Sequence, residues 1–356
     1  MSFVNKNMVI VLGVQRSGTS AITKSLSSVN ASFGCNLLEE HKKVNPTGFW
    51  EDSDILLLNE KILMHLDLTW SSLRPIRLTD FSENDLEEFY KDATALLMSK
   101  MSDNKLFALK EPRITKLFVF WDYVIKKNKI NCKYIIALRD PNDVANSFKR
   151  LENTMVSAIE TKKQYVYKLW ISYLISVVSV FDEPSDIYII EYERILENPK
   201  DIIEHMAGKF NYDINDDELN EYCNTFINRS LNHSDNEKVI NFSDRLVNDF
   251  YDLLRDISNN NSNLTCSMSK RLNKIKEEFE CNIEMLTLVD QVNYINKKNK
   301  DAHAKSSELK NKEIILLKKD VITLQNNVTD KANELEKITV RNEFLMTEIC
   351  KFTNVK

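Results

Sequence analysis

Residues 8–20 read MVIVLGVQRSGTS, and the rest of the sequence is best understood from this stretch. Met8–Val14 is a continuous apolar run, short enough for a buried β-strand. Gly13 and Gly18 follow, five positions apart, and a helical pattern begins at Ala21. A strand, a glycine loop and a helix in this order predict a cradle in which backbone N–H groups face an anion. The alternative is a structural strand-turn-helix in which the glycines are incidental.

The charged residue of this loop argues against a nucleotide triphosphatase. In the phosphate loop of those enzymes a Lys directly follows the second glycine. Here Thr19 occupies that position, and the positive charge comes from Arg16, inside the loop. Ser17 and Ser20 add hydroxyl groups. We therefore predict an anion site whose charge is supplied by arginine.

Further apolar runs and helical patterns alternate along the first part of the chain. The runs Leu106–Leu109, Tyr134–Leu138 and Ile187–Ile190 are each short enough for a buried strand. Helical patterns lie between them, at Ala21–Val29, Ile55–Leu66, Leu86–Met101, Leu117–Ile125 and Tyr165–Phe181. This order predicts an α/β fold, a parallel sheet flanked by crossover helices.

A second candidate anion site follows the strand at Tyr134–Leu138. That strand ends in Arg139-Asp140-Pro141, and Ser147 stands eight positions after Arg139, on the next predicted helix. The fork of an arginine and a hydroxyl at the carboxyl end of a parallel strand could together hold a phosphate. The alternative is an ordinary Arg-Asp-Pro turn.

Composition narrows the class of protein. The 356 residues are 43% hydrophobic and 28% charged, which is typical of a folded chain with a sizeable core. A formal net charge of -5 and the lack of a dense Lys/Arg block argue against nucleic acid as a partner. Six cysteines without a CxxC pair favour free thiols in a reducing compartment. With no signal-peptide pattern and no transmembrane segment of ~18 apolar residues, we expect a cytoplasmic protein.

The end of the sequence has a different character. All glycines and prolines lie before residue 209, and apolar residues then recur with a seven-residue period from Leu272 onward. Such a pattern is typical of a coiled coil. We therefore divide the chain into an α/β domain at 1–235, a helical Asn/Ser-rich linker at 236–265 and a coiled coil at 266–356. We expect a homo-oligomer; the alternative is a long helix folded back onto the first domain.

Both candidate anion sites resemble one known family. Arg16-Ser17-Gly18-Thr19-Ser20 resembles the 5′-phosphosulfate loop of sulfotransferases that use 3′-phosphoadenosine 5′-phosphosulfate (PAPS). The separation of Arg139 and Ser147 is similar to the 3′-phosphate motif of that family. Gly48–Glu51 (GFWE) and Lys110–Arg113 (KEPR) resemble segments of its bacterial-type branch. The resemblance covers residues 8–235, and the segment from Ile190 to Pro199 also contributes.

The resemblance implies a P-loop-like fold and roles for individual residues. Arg16 and the loop Ser17, Gly18, Thr19 and Ser20 would hold the 5′-phosphosulfate, and Arg139 with Ser147 would hold the 3′-phosphate. Lys110 would stabilise the charge that departs with the leaving phosphate, unless it is a solvated strand-end lysine. Tyr192 would lie near the adenine, unless it only packs on the core. No metal is required.

The general base is less closely defined. Four residues downstream of the loop are candidates: Glu39, Glu40, His41 and Glu51. We favour Glu51, because the loop with Pro46 and Gly48 could present it and the adjacent aromatic residues would lower the local dielectric. The alternative is that Glu51 is an N-terminal carboxylate of the helix that follows.

For three other residues the sequence allows more than one role or gives only partial support for a role. Glu111 is either the base or a residue that orients Arg113, and Arg113 would bind an acidic or hydroxyl-rich acceptor. Arg229 could close over the cofactor, although Asn232 stands where a basic residue is expected.

Together these features favour a sulfotransferase that moves the sulfuryl group of PAPS to a hydroxyl of a carbohydrate or glycolipid precursor. Two alternatives stay open at this point. One is a P-loop kinase for a small molecule, and the other is a catalytically inactive scaffold whose coiled coil recruits partners.

Overall fold

The computed structural model describes residues 3, 6–40, 45, 48–101, 106–151, 162–178, 181, 184–227 and 244–353. Four strands are present in these ranges: β1 (Asn7–Leu12), β2 (Leu106–Leu109), β3 (Asn131–Leu138) and β4 (Ile187–Glu191). The helices are α1 (Thr19–Ser25), α2 (Ser53–His65), α3 (Glu83–Lys100), α4 (Pro112–Lys116), α5 (Phe118–Lys127), α6 (Pro141–Leu151), α7 (Lys163–Ile175), α8 (Tyr192–Glu197), α9 (Pro199–Phe210), α10 (Asp216–Glu221), α11 (Arg245–Asn259), α12 (Cys266–Glu280) and α13 (Ile283–Thr353).

The four strands form one parallel sheet in the order β2-β1-β3-β4. The chain moves from β1 to one neighbour, β2, and then crosses to the other side of β1 to form β3. The strand order therefore reverses between β1 and β3, and open α/β sheets bind ligands at the carboxyl ends of the strands at such a point. The loops that follow β1 and β3, which contain Arg16 and Arg139, begin at these carboxyl ends.

Both faces of the sheet are buried, which explains why the strands are continuous apolar runs. Met8, Ile10 and Leu12 of β1 belong to one core cluster, and Val9 and Val11 belong to another. Helices α2–α7, α11 and α12 contribute to the first cluster, while α1, α8, α9 and α10 contribute to the second. The α/β fold with helices on both faces of a parallel sheet, predicted from the sequence, is confirmed.

Helices α11 and α12 are part of the first core cluster. Val247 and Phe250 of α11 are buried, and so are Leu272 and Phe279 of α12. In the division predicted from the sequence, α11 falls in the linker and α12 in the coiled coil. An apolar stripe on one side of a helix can pack against a core or against the second helix of a coiled coil. Here α11 supplies the surface on which α12 packs.

The start of α13 is bound to the loop that follows α2. Both carboxylate oxygens of Asp290 accept hydrogen bonds, one from the backbone N–H of Leu73 and one from that of Arg74, each at 2.7 Å. The buried Lys116 donates to the carbonyl of Arg74 at 2.6 Å, and burial lowers the pKa of this lysine to about 7. This loop is therefore fixed by side chains that lie far from it in sequence.

Contacts divide the chain into two compact units, Met1–Tyr294 and Ile295–Lys356. The second unit, in its described part, is the continuation of α13, and the apolar side chains of its seven-residue repeat are exposed. None of the helices in the described ranges combines the length and the apolar character needed to cross a membrane.

Replacing Phe279 by alanine should lower the free energy of unfolding by about 3–5 kcal/mol, because a large buried side chain is removed from the core. Phe344→Ala is the matched control, since Phe279 is 2% exposed and Phe344 is 65% exposed. The control should change the free energy by less than about 0.5 kcal/mol. Chemical denaturation monitored by circular dichroism measures both, and equal effects would contradict the placement of α12 in the core.

Candidate active site

The loop between β1 and α1 is anchored by hydrogen bonds to α4. The backbone N–H of Gly13 donates to Thr115 Oγ1 at 2.8 Å, and Thr115 Oγ1 donates to the Gly13 carbonyl at 3.1 Å. Gly18 has a φ of 81°, and a Cβ atom built there would lie 2.0 Å from Tyr192 Cδ2. Only glycine therefore fits where the loop passes the ring of Tyr192.

Arg16 meets Arg139 and Ser147 beside this loop. Arg16 Nε donates to Ser147 Oγ at 3.0 Å, and Arg139 Nη1 donates to the carbonyl of Arg16 at 2.9 Å. Burial, reinforced by the positive charge of Arg139, lowers the pKa of Arg16. The two candidate anion motifs are thus parts of one site, and an anion bound there would offset the repulsion between the guanidinium groups.

Two residues of α8 complete the surroundings of Arg139. Its guanidinium carbon lies 4.5 Å from the ring centroid of Tyr192, and its Nε is 3.9 Å from Glu193 Oε1. Burial raises the pKa of Glu193 to about 7. Arg139 therefore lies between an aromatic ring and a carboxylate whose charged form is disfavoured by burial.

Lys110 and Glu51 form a buried ion pair next to the loop. Lys110 Nζ lies 2.7 Å from Glu51 Oε1 and donates to Ser20 Oγ at 3.2 Å. Ser20 Oγ also accepts from Asn45 Nδ2 at 3.0 Å and donates to the carbonyl of Phe49 at 3.2 Å. The GFWE segment, the start of α1 and the end of β2 therefore converge on one hydroxyl group.

Asp52, not Glu51, caps the helix that follows this segment. Asp52 Oδ1 accepts from the backbone N–H groups of Asp54 at 3.0 Å and Ile55 at 3.2 Å. This is the usual arrangement of an N-cap carboxylate. The alternative role considered for Glu51 thus belongs to its neighbour, and the Glu51 carboxylate faces Lys110.

Glu111 is fully buried and bound on two sides. Its carboxylate accepts from Arg113 Nη1 at 2.6 Å and from Asn59 Nδ2 at 2.5 Å. Arg113 Nε also donates to Glu60 Oε1. Burial raises the pKa of Glu111. Of the two roles considered for Glu111, this geometry matches the orientation of Arg113.

Several residues of this region were not found by sequence reasoning. Gln15 Nε2 donates to the hydroxyl of Tyr173 at 3.3 Å, and Tyr173 donates to the carbonyl of Trp70 at 2.6 Å. Trp121 Nε1 donates to Asn59 Oδ1 at 2.8 Å. These contacts join residues far apart in the chain, so no local spacing signals them.

The remaining candidate residues fall into two groups. Arg229, Asn232 and His41 lie outside the described residues, and Glu39 and Glu40 are exposed. Within the described ranges, no three side chains of His, Cys, Asp or Glu come together as a group that could hold a metal ion.

Comparison with known families identifies the class of protein. The family model described as "Sulfotransferase domain" matches residues 6–279. The chain therefore belongs to the sulfotransferase family, whose members transfer sulfuryl groups. None of the curated proteins compared with the sequence matches it.

Solved structures of sulfotransferases are similar to this chain at low identity. The sulfotransferase domain of the Synechococcus PCC 7002 olefin synthase is 14% identical, with a TM-score of 0.40, over 77% of this chain and 94% of that one. Sulfotransferase STF9 from Mycobacterium avium is 15% identical, with a TM-score of 0.41, over 65% and 69%. Mouse sulfotransferase SULT7A1 complexed with PAP is 15% identical, with a TM-score of 0.35, over 81% and 88%.

Gly18→Ala should destabilise the protein by more than about 1–2 kcal/mol, the cost of a left-handed backbone for alanine, because the new methyl group also overlaps Tyr192. Gly208→Ala is the matched control. A Cβ atom at Gly208, inside α9, meets nothing within 4 Å, so this change should stabilise by about 0.5–1 kcal/mol. Opposite signs in urea denaturation are expected, and a Gly18→Ala protein as stable as the wild type would refute the close approach.

Proposed function

We infer that this sulfotransferase takes its sulfuryl group from PAPS and transfers it to a hydroxyl group. One observation carries the inference: Arg16 and Arg139 converge beside Ser147 at the carboxyl edge of the sheet. A donor with a 3′-phosphate needs a second anion site close to the 5′ site, and a nucleoside diphosphate without that phosphate does not. From the sequence, only the order of the Arg16 and Arg139 motifs along the chain is known. In the structure, hydrogen bonds join the two motifs directly.

The residues of the loop fit a phosphosulfate group. Ser17 Oγ is buried and has no hydrogen-bond partner among the described residues. The first N–H groups of α1 have no side-chain cap, because glycine is the N-cap residue. Gly18 keeps the loop free of a side chain at its approach to Tyr192. Hydroxyl and backbone donors of this kind bind the oxygen atoms of phosphate and sulfate groups.

In this proposal Lys110 and Glu51 perform the chemical step together. PAPS supplies an activated sulfuryl group, whose bond to the phosphate oxygen breaks as a bond to the acceptor oxygen forms. Glu51 takes the proton of the acceptor hydroxyl, and Lys110 stabilises the negative charge of the departing phosphate. Their contact of 2.7 Å orients the Glu51 carboxylate before the acceptor arrives.

We assign the acceptor side to Arg113, with Glu111 as a positioning residue. Glu111 is 0% exposed, so it acts through Arg113 rather than by contact with the acceptor. Arg113 is oriented from both sides by Glu111 and Glu60. A carbohydrate or glycolipid precursor, the acceptor implied by the bacterial-type resemblance, offers hydroxyl groups for such a donor. Screening monosaccharides and glycolipid precursors with PAPS tests this assignment.

The 3′-phosphate site is tested by calorimetric binding of 3′-phosphoadenosine 5′-phosphate and of ADP. Arg139→Ala should weaken binding of the first ligand by about 10- to 150-fold, since a charged hydrogen bond contributes about 1.5–3 kcal/mol. ADP has no 3′-phosphate, so its weaker binding should not change. Arg77→Ala, at an exposed position, is the matched control. Equal affinities of the wild type for both ligands would overturn the PAPS assignment in favour of a kinase.

Glu51→Gln should lower the turnover number by about 10²- to 10⁴-fold, because the amide cannot take the acceptor proton. Its oxygen can still accept the hydrogen bond of Lys110, so binding of 3′-phosphoadenosine 5′-phosphate should be unchanged. Glu40→Gln, at an exposed position, is the control. Steady-state kinetics with PAPS measures the effect, and near-normal turnover would remove Glu51 from the mechanism.

A further inference from the structure

An exposed apolar stripe runs along α13 from Ile314 to Ile349. Its members repeat every seven residues in two sets, called positions a and d. The a set is Ile314, Val321, Val328, Leu335, Asn342 and Ile349, and the d set is Leu317, Leu324, Lys331, Ile338 and Leu345. Their apolar side chains are 48–68% exposed. A continuous stripe of this kind is the seam of a coiled coil that lacks its second helix.

We propose that a second copy of this chain covers the stripe as a parallel, in-register, two-stranded coiled coil. The residue types favour two strands, because β-branched residues occupy a at Ile314, Val321 and Val328 while leucine occupies d at Leu317 and Leu324. This division between a and d is the one that parallel dimers prefer.

Asn342 argues for the parallel orientation. In a parallel pair an a residue faces the same residue of the other copy, so two Asn342 side chains meet and their amides pair. In an antiparallel pair an a residue faces a d residue, and every d residue of the stripe except Lys331 is apolar. A buried amide opposite leucine or isoleucine would lose its hydrogen bonds with water without replacement.

One pair of charged residues beside the seam agrees with this register. In a parallel pair the residue just before an a position of one copy lies near the residue just after the next d position of the other. Glu313 and Lys318 stand in these two positions, and their charges are opposite. Each dimer therefore has two such ion pairs, one on each side of the seam.

The competing arrangement is the antiparallel register that sets Asn342 opposite Lys331. Within α13 (Ile283–Thr353) that register gives Leu317 no opposite residue, whereas the parallel register sets Leu317 opposite Leu317. The parallel pair brings two Lys331 side chains into one layer, but their long stems can carry the ammonium groups out to water. The parallel arrangement thus covers the whole stripe and leaves its one charged layer solvated.

Disulfide cross-linking of the full-length chain distinguishes these arrangements. The background carries serine in place of the exposed Cys35, Cys266 and Cys281, and of Cys350. In this background Asn342→Cys should form a covalent dimer on mild oxidation, because the two thiols face each other. Asn333→Cys is the matched control, since it lies on the opposite side of the helix and should stay monomeric on a non-reducing gel.

Two results would overturn the proposal. One is cross-linking of a Lys331→Cys chain with an Asn342→Cys chain but not of Asn342→Cys with itself, which is the antiparallel signature. The other is a monomeric mass for the unmodified chain in sedimentation equilibrium at micromolar concentration. A dimeric mass that is lost in Leu324→Asp and retained in Asn333→Asp supports it, and both changes are at exposed positions outside the core of the first unit.

Discussion

Repulsion between the guanidinium groups of Arg16 and Arg139 is the constraint around which the site is built. The parallel sheet brings them together, because the carboxyl ends of β1 and β3 are neighbours at the point where strand order reverses. Burial lowers the pKa of Arg16, and the positive charge of Arg139 lowers it further. Arg139 is held by the Arg16 carbonyl and by the ring of Tyr192. The protein therefore holds two like charges close together at the edge of the sheet.

The second pair of charges in the site consists of one positive and one negative side chain, which attract each other. Lys110 and Glu51 offset each other, and both are almost fully buried. Removing one partner of such a pair leaves the other as an uncompensated buried charge, which is costly. Ser20 links this pair to the glycine loop. A change in the loop that moves Ser20 therefore also alters the hydrogen bond that Lys110 donates to it, although the two residues lie on different elements.

Much of the fold and part of the site could be predicted from local patterns. The strand before Gly13 and the strand before Arg139 are visible in the sequence because a sheet buried on both faces requires continuous apolar runs. Contacts between residues far apart in the sequence could not be predicted from these patterns. The sequence could not tell whether Glu51 or Asp52 caps α2, because both stand before the helix and only packing selects one. Likewise Leu272 and Phe279 fit a coiled coil as well as a core, since the period is the same and only the partner surface differs.

The two hydrogen bonds that Asp290 accepts have a consequence for how the chain can be divided. Asp290 belongs to α13, yet its carboxylate accepts hydrogen bonds from the backbone N–H groups of Leu73 and Arg74. The same loop contains Trp70, whose carbonyl accepts a hydrogen bond from Tyr173. Tyr173 in turn accepts a hydrogen bond from Gln15 of the glycine loop. A shortened chain that stops at the end of the family match, residue 279, would remove these acceptors together with Leu286 from the core. The first turns of the long helix therefore belong with the compact unit Met1–Tyr294 rather than with the second unit.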